Sequence, residues 1–123
     1  MSRPTQRKRY DSQDIVDHVY KHFFIENHTK CMTLGQCVYN QTGCAVGCLL
    51  TDEDANTLEK QSIGTVDTAW DRNYQMFHEY FSVGDYPLLY DLQSAHDGSH
   101  DQEEMWKNMR EVFDKYGFIP DRG

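Results

Sequence analysis

The residues of this 123-residue chain that are best suited to catalysis or metal binding are four cysteines and six histidines. Cys31, Cys37, Cys44 and Cys48 fall within eighteen positions, and no cysteine lies elsewhere. Because thiolates act as nucleophiles and as metal ligands, this cluster raises two functional alternatives. Cysteine is also among the residue types most often buried, so packing inside a core is the third and simplest interpretation.

A thiol hydrolase needs a cysteine, a histidine within hydrogen-bonding reach and a group that orients the imidazole. Cys44 with His96 and Asp97 supplies this set, and Cys48 or Asp91 could replace one of its members. A chain rich in these residue types contains such a combination by chance, and no cysteine is predicted at a helix N-terminus, where a thiolate would be stabilised. A Cys/His-dependent hydrolase is therefore kept as an alternative, and no catalytic residue is assigned.

A zinc site needs sulfur or nitrogen ligands that are brought together by short spacings such as C-x2-C. The cysteine spacings here are x5, x6 and x3. On an extended strand Cys44 and Cys48 would stand about 13 Å apart, too far to share one ion, whereas a helical turn would bring them together. A small zinc-binding interaction module, with His28 as a further ligand, is the second alternative. No metal or cofactor is predicted.

The charge of the chain restricts its partners. The first ten residues hold four basic residues and no acid, and they are predicted to form a flexible basic arm: Arg3, Arg7, Lys8 and Arg9. The net charge of −8 leaves −12 for residues 11–123. Such a field repels phosphate backbones, so duplex nucleic acid is not an expected partner. The expected partner is a small-molecule ligand or a host protein.

The chain carries no apolar run near the roughly 18 residues that a membrane span requires, and no signal-peptide pattern. We therefore expect a cytoplasmic protein without membrane contact. In that compartment the four cysteines are expected to be reduced thiols.

Apolar residues at helical spacing, together with capping residues, predict five helices. Asp11 or Ser12 caps the first, Thr51 caps the second, and Gly117 ends the last. The predicted helices cover residues 12–26, 52–60, 66–82, 86–97 and 99–116. The helices at 66–82 and 99–116 carry the most aromatic rings, so they are the expected contacts if the chain forms a homo-oligomer.

Residues 31–50 are predicted to form a β-hairpin because small, thiol-bearing and β-branched residues flank a turn cluster at residues 40–43. In this hairpin Tyr39 pairs with Cys44 across the turn. The sequence therefore predicts an α+β fold, in which residues 11–123 form one globular domain with the hairpin packed against about five α-helices.

Two segments resemble a largely uncharacterised family of small bacteriophage and bacterial proteins. They are G-C-A-V-G-C-L-L at residues 43–50 and L-Q-S-A-H-D at residues 92–97. The resemblance implies an anti-defence accessory protein, located in the host cytoplasm if phage-encoded. Such a protein would act by non-catalytic binding, sequestering a small ligand such as a nucleotide or inhibiting a host defence protein. The expected ligand-binding residues are Tyr39, Asn40, Cys44, His96 and Asp97.

Overall fold

A computed structural model of the chain describes residues 4–26, 32–33, 36–37, 44–61 and 66–120. Six α-helices account for most of this part of the chain. They are α1 (Ser12–Tyr20), α2 (Asp52–Lys60), α3 (Val66–Arg72), α4 (Tyr74–His78), α5 (Tyr86–Asp97) and α6 (Gln102–Tyr116). Shorter elements are a π-helical continuation of α1 (Lys21–Ile25), two 3-10 turns (Gly47–Leu49 and Val83–Asp85) and two short strands, β1 (Met32–Thr33) and β2 (Gln36–Cys37).

The α+β fold expected from the sequence is wrong, because the described residues form an essentially all-helical domain. The one described strand pairing has two residues on each side, and it is antiparallel. In it Cys37 lies opposite Met32, whereas the predicted hairpin would place Cys37 opposite Val46. The predicted β-hairpin is therefore wrong, because residues 44–50 do not form its second strand; its turn cluster at residues 40–43 lies outside the described residues.

Residues 44–50 form a turn and a 3-10 helix instead of the second strand of a hairpin. The backbone N–H of Cys48 donates to the carbonyl of Cys44 at 2.9 Å, and that of Leu50 donates to Gly47 at 3.1 Å. All seven residues are buried. A strand in a two-stranded hairpin alternates between a covered and an open face, whereas a short apolar run without alternation is equally compatible with a buried helical turn.

Three helix termini follow the capping residues expected from the sequence, whereas α6 begins at Gln102, capped by Asp101, and not at residue 99. The Asp11 carboxylate accepts from the N–H of Asp14 at 2.8 Å, and the Thr51 hydroxyl accepts from the N–H of Asp54 at 3.2 Å. At the far end of α6, Gly117 has a φ of 77°, the left-handed conformation that glycine adopts without strain. Local side-chain chemistry therefore fixes where these helices begin and end.

The predicted helix over residues 66–82 is divided into α3 and α4 at Asn73, whose φ of −127° and ψ of 39° are not helical. The Asn73 side chain donates to the carbonyl of Ala69 at 3.1 Å and to the Gln61 side chain at 2.9 Å. Asparagine offers the backbone such alternative hydrogen bonds and so favours a break. The aromatic stripe of this region is buried as expected, except that Tyr74 is 55% exposed.

All six helices contribute buried side chains to one core, which also includes the buried turn at residues 44–50. Trp106 of α6 packs edge-on against Tyr20 and Phe24, with ring centroids 5.6 and 5.1 Å apart. Within the described ranges, the helices are all too short or too polar to cross a membrane.

Residues 7–10 contact the helices. The Arg7 guanidinium donates to both carboxylate oxygens of Asp54, at 2.8 and 2.9 Å, and the Tyr80 hydroxyl donates to the same carboxylate at 2.5 Å. Burial raises the pKa of Asp54, but these hydrogen bonds outweigh burial and hold it below its ordinary value. Tyr10 is buried and its hydroxyl donates to the carbonyl of Leu49 at 2.9 Å. The end of the basic segment therefore joins α2, the segment that follows α4 and the 44–50 turn.

His18 of α1 also contacts Tyr10 and the 44–50 turn. Its Nε2 lies 2.9 Å from the carbonyl oxygen of Cys48, and because a carbonyl only accepts, Nε2 carries the proton. The imidazole also lies edge-on to the Tyr10 ring, with centroids 5.7 Å apart. Burial lowers the pKa of His18 from 6.5 to about 4. The folded protein therefore keeps this imidazole neutral where the unfolded chain protonates it.

We expect the free energy of unfolding to fall as the pH is lowered from about 6.5 to about 4, because the unfolded state takes up a proton at His18 before the folded state does. At about 1.4 kcal/mol per pKa unit, the loss from this one group reaches roughly 3 kcal/mol. Urea unfolding at several pH values measures it. His18→Gln should flatten the slope by about one proton, since glutamine retains a donor for the Cys48 carbonyl.

His100→Gln is the matched control, because the His100 side chain is 88% exposed. His100 bonds Glu104 at 2.8 Å and lowers the pKa of that carboxyl, so the slopes are compared between pH 6.5 and 5, above the titration of Glu104. In that range His100→Gln should keep the wild-type slope. An unchanged slope in His18→Gln would contradict the assignment of the shift to His18.

Candidate functional site

Helix α5 joins three polar side chains into one hydrogen-bonded cluster, which we call the Asp97 cluster: Gln93, His96 and Asp97. The Gln93 amide oxygen accepts from the backbone N–H of Val46 at 3.0 Å. This contact identifies which amide atom is oxygen, so the amide nitrogen is the atom that donates to Asp97 Oδ1 at 2.8 Å. Gln93 therefore connects the 44–50 turn to the Asp97 carboxylate.

The His96 imidazole is fully buried and lies against the Phe23 ring, with centroids 5.4 Å apart. Its Nδ1 lies 2.8 Å from Asp97 Oδ1, and because a carboxylate only accepts, Nδ1 carries a proton. The 3.5 Å approach of the Gln93 amide nitrogen to the same Nδ1 places two donors side by side and is not a hydrogen bond. Asp97 Oδ1 thus accepts two hydrogen bonds from buried donors.

The Asp97 carboxylate is the part of the cluster that reaches the surface, since 31% of its side chain is exposed. Within the described part of the chain, its second oxygen, Oδ2, accepts no hydrogen bond. Two buried donors hold the carboxylate in place, so it presents this oxygen without further loss of side-chain freedom. Such a carboxylate is arranged to accept a hydrogen bond from a group outside the chain.

Asp97 lines a small cleft together with Val66 of α3 and with Tyr90, Gln93 and Ser94 of α5. The cleft has a volume of about 60 Å³. That is the space of about two water molecules in the liquid, against roughly 300 Å³ or more for sites that enclose a drug-sized ligand. A cleft of this volume admits the end of one side chain and is too small to enclose a nucleotide.

Two tyrosines of α5, Tyr86 and Tyr90, form an aromatic surface next to the cleft. The Tyr86 and Tyr90 rings have centroids 6.2 Å apart, and Tyr90 is 44% exposed. Burial raises the pKa of Tyr86, and the nearby carboxylates of Asp67 and Asp71 on α3 raise it further. We call this region the α3–α5 surface; it comprises Val66, Asp67, Asp71, Tyr86, Tyr90, Ser94 and Asp97.

The residues singled out from the sequence lie in different environments. Tyr39 and Asn40 fall outside the described residues. Cys44 and His96 are both fully buried, and Asp97 is the member of the predicted set that is partly exposed. Sequence reasoning missed two groups: Gln93, which anchors the carboxylate, and the tyrosines beside it. The available signal for the tyrosines was their spacing along α5, with positions 86, 90, 94 and 97 on one helical face.

The cysteines of the 44–50 turn lie one helical turn apart, because the N–H of Cys48 bonds to the carbonyl of Cys44. This is the arrangement under which the zinc alternative was retained. Both thiols are fully buried, and Cys48 Sγ donates to the carbonyl of Ala45 at 3.3 Å. Within the described ranges, groups of three or more side chains able to hold a metal are absent. His28 and Cys31 lie outside those ranges, so the zinc module stays a prediction.

Two larger hollows border Arg7, with volumes of about 590 and 660 Å³. Asp52, Glu53 and Asp54 line the first, and Tyr74, His78 and Glu79 are among the residues that line the second. Arg7 already pairs with Asp54 at 2.8 Å and with Glu79 at 3.6 Å, so its charge is balanced. Carboxylates at both edges disfavour the phosphates of a nucleotide.

Comparison with known proteins gives no further guide to the site. The chain matches no family model, no curated protein and no solved structure.

We expect Cys44 and Cys48 to react with iodoacetamide far more slowly in the native protein than in urea, on the order of a hundredfold, because both thiols must first be exposed by opening of the core. Peptide-resolved mass spectrometry measures each cysteine separately. The same protein in urea is the control. Native labelling of Cys44 at the urea rate would show an accessible thiol and favour the hydrolase.

Proposed function

We propose that this chain is a non-catalytic binding protein that engages a protein partner through the α3–α5 surface. The observation that carries the proposal is the Asp97 carboxylate, which two buried donors hold in place while its second oxygen remains available in the cleft. Pre-positioned polar groups beside aromatic side chains are typical of recognition sites.

Burial argues against the Cys/His-dependent hydrolase. A nucleophile must reach the substrate carbonyl and its base must lie within hydrogen-bonding distance, so both need an open cleft. Cys44 and His96 have no exposed surface, and the His96 Nδ1 proton is directed at Asp97. In this arrangement histidine and glutamine act as supports for the carboxylate, and binding is the activity that the geometry favours.

Size and shape favour a protein partner over a small molecule. The cleft at Asp97 holds a few atoms, and beside it lie tyrosine rings, one of them 44% exposed. Tyrosine is enriched at protein interfaces because its ring gives contact area and its hydroxyl tolerates water. A partner segment that covers Tyr86 and Tyr90 and inserts one side chain beside Asp97 would use the whole surface.

An accessory role in a bacteriophage fits this kind of activity, because obstruction of a host defence protein needs a binding surface and no turnover. This context comes from the resemblance of residues 43–50 and 92–97 to phage and bacterial proteins, and it is part of the proposal. The partner we favour is accordingly a host protein. A second copy of the chain is the alternative occupant that the experiment below distinguishes.

Ser94→Arg is the variant that tests the proposal, since Ser94 is exposed on α5 and an arginine three residues before Asp97 can pair with it and fill the cleft. Gln75→Arg is the matched control, because Gln75 is exposed on α4 and gains the same charge. Tagged proteins are isolated from cells in which the chain functions, and bound proteins are quantified by mass spectrometry.

We expect a partner in near-stoichiometric amount with the wild type and with Gln75→Arg, and its loss with Ser94→Arg. Native mass spectrometry of the same samples reports subunit number and so identifies a homo-oligomer. A partner retained by Ser94→Arg, or hydrolysis of an ester, amide or nucleotide that depends on Cys44 and His96, would overturn the proposal.

A further inference from the structure

We infer that the group held beside Asp97 is the guanidinium of an arginine in a basic segment of the partner. The inference rests on the proposed function and adds the chemistry of the partner. It follows from the charge of the α3–α5 surface, from the hydrogen bonds already made by Asp97 and from the tyrosines that flank it.

Charge is the first argument. Helices α3 and α5 together carry four aspartates against one arginine, Arg72. Asp91 is bound by Lys115 at 2.9 Å on the side of α5 that faces α6, whereas Asp67, Asp71 and Asp97 belong to the α3–α5 surface. The sequence outside the first ten residues has a charge of −12, so the surrounding field also attracts cations.

The hydrogen bonds of Asp97 are the second argument. Oδ1 is occupied by donors from Gln93 and His96, so a new ligand is met by Oδ2. Within the described residues this oxygen has no donor, and a carboxylate oxygen accepts and never donates. The incoming group must therefore be a donor, and a charged donor forms the stronger bond. Because only 31% of the side chain is exposed, the pair is less screened than an ion pair on an open surface.

The neighbouring rings decide which donor fits. A guanidinium is flat, stacks on tyrosine faces and donates from its edge, whereas an ammonium is compact and strongly hydrated. Tyr90 lines the same cleft as Asp97, and Tyr86 extends the aromatic surface along α5. The volume of about 60 Å³ accepts the end of a side chain and leaves the rest of the segment on the surface.

The test uses a fluorescent nine-residue peptide with three arginines separated by glycine and serine, and the same peptide with citrulline in place of arginine. Citrulline retains the shape of arginine and three of its five N–H donors, but a carbonyl oxygen replaces one nitrogen and the charge is lost. Binding to the full chain is measured by fluorescence anisotropy at 150 mM salt, where weak long-range attraction is largely screened. Asp97→Asn is the test variant, because asparagine keeps an oxygen for Gln93 and His96.

Asp114→Asn is the matched control, because Asp114 is exposed on α6 and loses the same charge. We expect Asp97→Asn to weaken binding of the arginine peptide by about tenfold, Asp114→Asn by less than about twofold, and the citrulline peptide to bind at least about tenfold more weakly than the arginine peptide. Circular dichroism and thermal melting confirm that both variants are folded.

Equal weakening by Asp97→Asn and Asp114→Asn would show general attraction to an acidic protein and overturn the inference. So would equal binding of the citrulline peptide, or no binding of the arginine peptide. The experiments can refute the bound arginine without refuting the α3–α5 surface as a binding surface. If Ser94→Arg releases a partner but Asp97→Asn does not change peptide binding, the binding surface stands and the arginine does not.

Discussion

The hydrogen bond between the Val46 N–H and the Gln93 amide oxygen is the contact on which the site depends. Val46 lies inside the buried 44–50 turn, where an unpaired N–H would cost about 1–3 kcal/mol. Gln93 supplies the partner from α5 and is itself buried. Because its oxygen faces Val46, its nitrogen faces Asp97, and that carboxylate then orients the His96 imidazole. One backbone donor therefore sets the direction of three side chains.

The hydrogen bonds from Val46 through Gln93 to Asp97 connect the packing of the core to the proposed binding activity. The 44–50 turn is buried, and the N–H groups of Cys48, Leu49 and Leu50 bond within it, whereas that of Val46 takes its partner from α5. The Asp97 cluster supplies this partner inside the core and leaves one carboxylate oxygen at the surface. Histidine, which would supply reactivity in an open cleft, lies against Phe23 and is removed from solvent. The same contacts that stabilise the fold thus produce a fixed acceptor for binding.

The sequence alone predicted the features that depend on neighbouring residues. Asp11 and Thr51 were identifiable as helix caps, and Gly117 as a helix end, because each acts on the backbone within a few positions. Residues 44–50 were misassigned because an apolar run of small residues has no period that separates a strand from a buried turn. The role of Gln93 was not predictable, since its partner Val46 lies 47 positions away in the sequence. The sequence identified Asp97 as a site residue, but it did not identify Tyr86 and Tyr90, which form the aromatic part of the surface beside it.

The protonation of His96 tests the central claim most directly, because only a proton on Nδ1 allows the imidazole to donate to Asp97. Long-range ¹H–¹⁵N NMR spectra of the folded protein distinguish protonated from unprotonated imidazole nitrogens. The account predicts a protonated Nδ1 that is coupled to a slowly exchanging proton, as expected for a buried hydrogen bond. An unprotonated Nδ1, or an imidazole that exchanges freely with solvent, would contradict the account.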